Sequence, residues 1–211
     1  MVREVITAKE VARQLDVSRE TLERLERYVE LLLKWQNAIN LIGRGTVGDI
    51  WHRHILDCGQ LCKFLPPGLR PIVDIGSGAG FPGLVLAILG AKDVRLVEAD
   101  SRKCVFLREA ARETKTSVDV IESRIENIRD LSAGVITARA LASTGTIIKL
   151  SQTICSQNTI YLLLKGKNVH FELTEVKNQW KMDAEIHPSF TDPDGSILKM
   201  ESVVCVHTTN N

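Results

Sequence analysis

The chain has 211 residues, enough for one folded domain with an extension, and its 44% hydrophobic and 25% charged residues are the mix of a globular protein. A formal net charge of +1 excludes the strongly basic balance of many nucleic-acid binders, so any such partner must be met by a local patch. No apolar run reaches the roughly 20 residues of a membrane helix, and the opening MVREVITAKEVARQLDV is charged throughout, unlike a signal peptide. The expectation is a cytoplasmic protein with no membrane partner.

Cys58, Cys62, Cys104, Cys155 and Cys205 are odd in number and scattered. Cys58 and Cys62, even with His54, match no usual zinc spacing, so free thiols in a reducing compartment and no metal are expected.

Residues 1–65 read as helices. Thr7 and Glu10 form a capping box for a short first helix. Ser18 caps a second, in which Leu22, Leu25, Val29 and Leu32 recur at helical spacing through about Trp35. A third is expected from about Val47 to Leu65, with Trp51, Ile55, Cys58, Leu61 and Cys62 on its apolar side, stopped by Pro66-Pro67-Gly68. After that break, short apolar runs alternate with amphipathic segments. The runs are Ile72–Ile75, Val94–Val97, Val118–Ile121, Val135–Ala138, Ile160–Leu164 and Val203–Val206; helices are expected at 81–89, 101–115, 124–131 and 143–155. Strand and helix in alternation predict a parallel sheet covered on both faces. A helical stretch near 168–180 follows, and the turn Asp192-Pro193-Asp194-Gly195 predicts an antiparallel pair at about 184–190 and 200–207.

The most informative stretch is Ile72-Val-Asp74-Ile-Gly76-Ser-Gly78-Ala-Gly80-Phe-Pro82-Gly83, a buried strand running through a glycine-rich turn into a helix. Glycines let a backbone turn sharply and approach a ligand closely. Dinucleotides and S-adenosylmethionine both use this geometry. From Gly76 the spacing is G-x-G-x-G with Phe81 where a dinucleotide fingerprint wants glycine; from Gly78 the fingerprint is met by Gly78, Gly80 and Gly83. Asp74 favours S-adenosylmethionine, because a carboxylate there can orient the loop or meet the cationic amino end of that cofactor, and has no partner in a pyrophosphate. Glu98, ending the second strand, is placed to accept from ribose hydroxyls, with Asp100 as the nearby alternative. Ile125 and Glu126 follow the third strand, where Ile125 can pack on adenine and backbone near Glu126 can read its edge.

The fourth strand delivers Thr137-Ala138-Arg139-Ala140 to the same sheet edge, where ligands of open α/β sheets bind. No Asn/Asp-Pro-Pro-aromatic element for a target amine follows it, nor a cysteine beside a proline. That suits attack by a ring nitrogen such as guanine N7, whose lone pair needs no base. Arg139 is then the residue to explain, as a contact to phosphate, to guanine O6 or to the cofactor carboxylate.

These residues resemble the RsmG (GidB) family of bacterial small-subunit ribosomal RNA methyltransferases across nearly the whole chain. The likeness is carried by Trp35-Gln-Asn37-Ala-Ile-Asn40-Leu41, Arg53-His54-Ile-Leu-Asp57, Asp74–Gly83, Arg124-Ile-Glu126, Thr137-Ala-Arg139-Ala and Leu164-Lys165-Gly166, in order. It departs at Asp57-Cys58-Gly59, where the family usually has Asp-Ser-Leu, and at Glu98-Ala-Asp100. The resemblance implies methylation of guanosine N7 in 16S rRNA with S-adenosylmethionine and no metal. It also implies a cofactor site that includes Gly76, Phe81, Ile125, Glu126 and Arg139.

The expected fold is a Rossmann-like class I methyltransferase, a mostly parallel seven-stranded sheet with an antiparallel C-terminal strand. Residues 1–68 are expected to form a helical extension and residues 69–211 the S-adenosylmethionine-binding domain. Site residues are Asp74, Gly76, Gly78, Gly80, Phe81, Glu98, Ile125, Glu126 and Arg139, with Arg139 also placed at the methyl-transfer edge. The partner is 16S rRNA or the small ribosomal subunit, met by a monomer. Within the extension, His54 and Asp57 are read as internal hydrogen-bond partners and Arg44 and Arg53 as RNA contacts. A nicotinamide-dependent oxidoreductase and a non-catalytic S-adenosylmethionine-binding regulator remain as alternatives.

Overall fold

A computed structural model describes residues 6–206. The first residues of the opening read against a signal peptide, and the last residue of the 200–207 strand, lie outside the described residues.

Helix α1 (Ala8–Leu15) starts on the expected capping box: the Glu10 amide donates to Thr7 Oγ1 at 3.3 Å and the Thr7 amide to Glu10 Oε2 at 2.7 Å. Helix α2 (Arg19–Gln36) is capped by Ser18 and buries Leu25, Val29 and Leu32 of the stripe its spacing predicts; Tyr28 joins them, and Leu22 is half-buried. The third helix does not form as one piece. Residues 44–64 wind instead through a 3₁₀ turn (Arg44–Asp49), a π-helical turn (Trp51–Leu56), a short helix α3 (Asp57–Gly59) and a second 3₁₀ turn (Gln60–Phe64). Gly45, Gly48 and Gly59 all weaken a regular helix here. Gly59 also serves packing, because a Cβ there would stand 2.5 Å from Leu15 Cδ1 of α1.

The strands are β1 (Ile72–Ile75), β2 (Val94–Glu98), β3 (Val118–Glu122), β4 (Val135–Arg139), β5 (Ile160–Lys165), β6 (Trp180–Pro188) and β7 (Ser196–Cys205). They form one sheet in the order β3-β2-β1-β4-β5-β7-β6. Pairings are parallel from β3 to β5, and β7 runs antiparallel to both β5 and β6. Helices α4 (Gly83–Ile88), α5 (Ser101–Glu113), α6 (Thr144–Ser151) and α7 (Val169–Lys177) complete the fold.

Strand side chains alternate between two cores. Ile72, Leu96, Val135 and Leu162 join an apolar cluster with α2, α4 and α5, while Val73, Val97, Ile136 and Leu163 join one with α6 and α7. Tyr28 and Leu32 of the N-terminal helices therefore share a core with Leu84 and Phe106 beside the sheet.

Two expectations shift. The helix expected at 124–131 is only a 3₁₀ turn, Ile125–Asn127. Ile125 and Leu131 bury in the same cluster, and a spacing of six turns them off a common helix face. The C-terminal hairpin forms, but both strands begin earlier than expected, at Trp180 and Ser196, because alternate burial already starts at Trp180. Among the described residues no helix is long and apolar enough to cross a membrane.

Candidate functional site

β1 runs straight into the glycine loop, where Gly76, Gly78 and Gly80 have φ of 67°, 56° and 99°. L side chains seldom adopt these values, so the alternating glycines fix the course of the loop. The Gly76 and Ser77 amides donate to the Val97 carbonyl at 2.9 and 3.0 Å, which folds the loop over the end of β2. Gly83 lets α4 sit close on β1, since a Cβ there would lie 2.5 Å from Asp74 Cβ.

A cleft of about 540 Å³ opens above the carboxyl ends of the strands, the size range of small-molecule sites. Of the residues expected at the site, Gly76, Gly78, Phe81, Glu98, Ile125, Glu126 and Arg139 line it. Asp74 and Gly80 do not reach it. Asp74 is fully buried beneath the loop, where Thr137 Oγ1 donates to its Oδ1 at 2.8 Å; burial pushes its carboxyl up to about 6. Its place suits orienting the loop. A Cβ at Gly80 would meet Leu84 Cβ at 2.8 Å, so that glycine serves the packing of α4.

Glu98 is fixed by three backbone donors: Gly78 at Oε2, and Ala99 and Asp100 at Oε1, each at 2.8 Å. A carboxylate has about four acceptor positions, so capacity remains for a hydroxyl in the cleft. Asp100 caps α5 instead, accepting from the Arg102 and Lys103 amides. Of these two carboxylates, Glu98 is therefore the one that faces the cleft.

Arg139 at the end of β4 is held by the π-helical segment. Its Nη1 donates to the Arg53 carbonyl at 3.1 Å and to Asp57 Oδ2 at 3.4 Å, its Nη2 donates to His54 Nδ1, and its guanidinium lies 5.2 Å from the Phe81 ring centre. Because arginine only donates, His54 carries its proton on Nε2 and donates to Thr46 Oγ1 at 2.8 Å; Thr46 in turn donates to the Gly43 carbonyl. Burial first, then Arg139 and Arg53, push His54 down to about 3, so the imidazole is neutral. Cys58 also touches Arg139, at 3.6 Å, but burial drives its thiol well above the usual range. The internal reading of His54 and Asp57 agrees with these contacts. Arg53 pairs with Asp192 at 3.4 Å, while Arg44 is exposed.

One wall of the cleft was not anticipated as part of the site: Leu41, Ile42 and Gly43. The Gln36 amide holds it, accepting from the Leu41 and Ile42 amides and donating to the Ile42 carbonyl. The loop is also tied from behind, because the Tyr28 hydroxyl donates to the Ala79 carbonyl. The Trp35–Leu41 motif was the available signal for the first; a tyrosine among the buried leucines of α2 was the signal for the second. Beyond Arg139 lies a second, polar cavity of about 250 Å³, lined by Arg53, Asp57, Lys165 and the hairpin loop residues Ser189, Thr191 and Asp192.

A doubly wound sheet ending in an antiparallel strand, with a glycine-loop cleft at its carboxyl edge, defines the class I methyltransferase fold. Solved structures agree on the fold. The ribosomal protein L11 methylase of Lactobacillus delbrueckii subsp. bulgaricus aligns with TM-score 0.57 at 14% identity, over 72% of this chain and 79% of that one. Magnesium protoporphyrin IX methyltransferase of Synechocystis PCC 6803, solved with bound S-adenosylmethionine, gives 0.57 at 13% identity over 89% and 97%. The family is narrower: residues 21–197 match the model of GidB, rRNA small subunit methyltransferase G, and the chain belongs to that family. Ribosomal RNA small subunit methyltransferase G of Paramagnetospirillum magneticum is 50% identical over 92% of this chain and 95% of its own length. That of Rhodospirillum rubrum is 46% identical over 94% and 98%.

Proposed function

We propose that the chain transfers the methyl group of S-adenosylmethionine to N7 of a guanosine in 16S rRNA. Membership of the rRNA small subunit methyltransferase G family supports the reaction class and the RNA. The observation that carries the chemistry is the state of the groups around Arg139.

The cleft fits the cofactor. It has a suitable volume, a carboxylate with spare acceptor capacity for ribose hydroxyls in Glu98, and a glycine at 78 where a Cβ would meet nothing closer than 3.8 Å. Ile125 and Val97 offer apolar surface to a base. When bound there, S-adenosylmethionine supplies an electrophilic methyl on a sulfonium.

The protein's own part is to hold and align the acceptor. His54 is neutral with both ring nitrogens occupied, and Cys58 is a buried thiol. Neither is available as base or nucleophile. Guanine N7 needs neither, because its lone pair is free at neutral pH, so the rate rests on proximity and orientation. The acceptor base enters from the side of Arg139 and the second cavity, where the half-exposed Arg53 can meet phosphate, while Lys165 is buried and held by Glu172 at 2.6 Å.

The test is incubation with methyl-labelled S-adenosylmethionine and separated ribosomal RNAs or small subunits. Label is expected in 16S rRNA, released on hydrolysis as 7-methylguanine. Label confined to tRNA, 23S rRNA or protein would overturn the reading.

A further inference from the structure

The turn read in the sequence at Asp192–Gly195 is the tip of the β6–β7 hairpin, and it is built more firmly than an ordinary surface loop. Gln60, 1% exposed, accepts from the Phe190 amide at 3.3 Å and donates to Ser189 Oγ at 3.0 Å. Thr191, 2% exposed, donates to Asp57 Oδ1 at 2.7 Å. The Ser189 amide closes onto the Gly195 carbonyl at 3.0 Å. Ser189, Thr191 and Asp192 face the second cavity beside Arg139. Phe190, between them, does not: it is 50% exposed, and Lys63 Nζ stands 5.7 Å from its ring centre. A loop anchored through two almost fully buried polar side chains thus holds a phenyl ring out in solvent beside a cation, at the rim of the acceptor side.

We propose that this hairpin tip is a docking lip for RNA, with Phe190 stacking on the base of an unpaired nucleotide next to the one methylated and Lys63 meeting an adjoining phosphate. The inference rests on the function proposed above and names a recognition element for its substrate. Unpaired bases stack on aromatic side chains whatever their identity, and a lysine supplies the backbone contact. A fixed loop suits the role, because a ring already positioned loses little freedom on binding. Phe171 of α7 is 70% exposed, but its chain neighbours, unlike those of Phe190, do not line the second cavity, so it serves as an internal comparison.

The experiment measures KM and kcat on small-subunit RNA, together with S-adenosylmethionine affinity by calorimetry, for wild type, F190A, F190L, F190W and F171A. The expected result is a KM for RNA raised about 5-fold or more in F190A and F190L. F190W should restore it to within about 2-fold, with kcat, cofactor affinity and F171A unchanged. F190L matching wild type would show that the ring only fills space and overturn the lip, as would an F190A enzyme with unaltered KM. A wild-type protein that leaves rRNA unlabelled while binding S-adenosylmethionine would overturn the function on which the lip rests.

Discussion

The guanidinium of Arg139 sits 5.2 Å from the centre of the Phe81 ring, so the end of the fourth strand rests directly on the glycine loop that follows the first. His54 stacks on the same ring with centroids 4.9 Å apart and accepts from Arg139. Phe81, His54 and Arg139 thus form one unit between the two cavities.

From the sequence alone Arg139 looks dispensable to the fold, a residue on a strand-end loop. Its contacts say otherwise: the side chain is 18% exposed and paired with an Asp57 that is 20% exposed. Arg139→Ala removes the partner of a mostly buried carboxylate and of His54, a loss of about 2–4 kcal/mol. For a chain of this size that lowers Tm by about 4–16 °C. Turnover should fall at least ~10-fold even well below the transition, and lysine should restore only part of it, lacking the planar fork. An Arg139→Ala protein with unchanged Tm would show that these contacts contribute nothing to stability.

Asp74 and His54 give opposite pH dependences. Burial raises the folded Asp74 carboxyl to about 6 from its ordinary 3.8. The folded state therefore holds its proton more tightly, and this contribution to stability is lost as pH rises from about 4 to 6. His54 is lowered to about 3 from 6.5, so its contribution is complete above 6.5 and lost as pH falls. Each slope is on the order of 1 kcal/mol per pH unit where it applies. Asp74→Asn removes one of them. Its Tm should then fall more steeply than wild type between pH 6 and 4.5, and parallel melting curves for the two proteins would contradict the shift assigned to Asp74.

Guanine N7 attack combined with a neutral His54 predicts a chemical step that is flat with pH. Single-turnover methyl transfer should change less than about 2-fold from pH 6.5 to 8.5. A tenfold rise per pH unit there would reveal a required base.

Much of this site was legible in the sequence because its parts are local. The strand-turn-helix of Asp74–Gly83 and the carboxylate closing the next strand each declare themselves over a few residues. The two that miss the cleft, Asp74 and Gly80, do so for a reason spacing does not show: one points under the loop and the other into α4. What holds Arg139 was hidden for a different reason. Its partners lie 82 to 86 residues earlier in the chain, on a segment whose π-helical turn breaks the regular period. Periodicity reads which face of an element is buried; it does not read which distant segment closes over a strand end.

Glu98 and Gly78 are coupled, so substituting either should disturb the other. Glu98→Ala leaves the Gly78, Ala99 and Asp100 amides without their acceptor and removes the carboxylate proposed to meet the ribose. S-adenosylmethionine affinity should fall about 5- to 150-fold, equivalent to about 1–3 kcal/mol. Gly78→Ala is a cleaner probe than a β-branched residue at φ 56°. A Cβ there meets no protein atom closer than 3.8 Å and projects into free space, so the cost to the fold is about 1–2 kcal/mol. Calorimetry should find cofactor binding weakened at least ~10-fold; full affinity in this variant would remove the loop from the cofactor site.

The last prediction tests whether the N-terminal helices support the cleft or only cover the sheet. Tyr28 of α2 is fully buried, and its hydroxyl donates to the carbonyl of Ala79, between the two glycines of the loop that differ most in role. Its ring also meets Phe81 edge-on at 5.8 Å. Tyr28→Phe keeps the ring contact and deletes only the donor, leaving a buried carbonyl unpaired. The expected cost is about 1 kcal/mol of stability, a Tm lower by about 2–4 °C. If the hydrogen bond also sets the loop, the dissociation constant for S-adenosylmethionine should rise about 3- to 10-fold, while kcat at saturating cofactor stays within about 2-fold of wild type. A Tm that falls with the dissociation constant unmoved would confine Tyr28 to packing, and the glycine loop would then be held by β2 and Glu98 without help from α2.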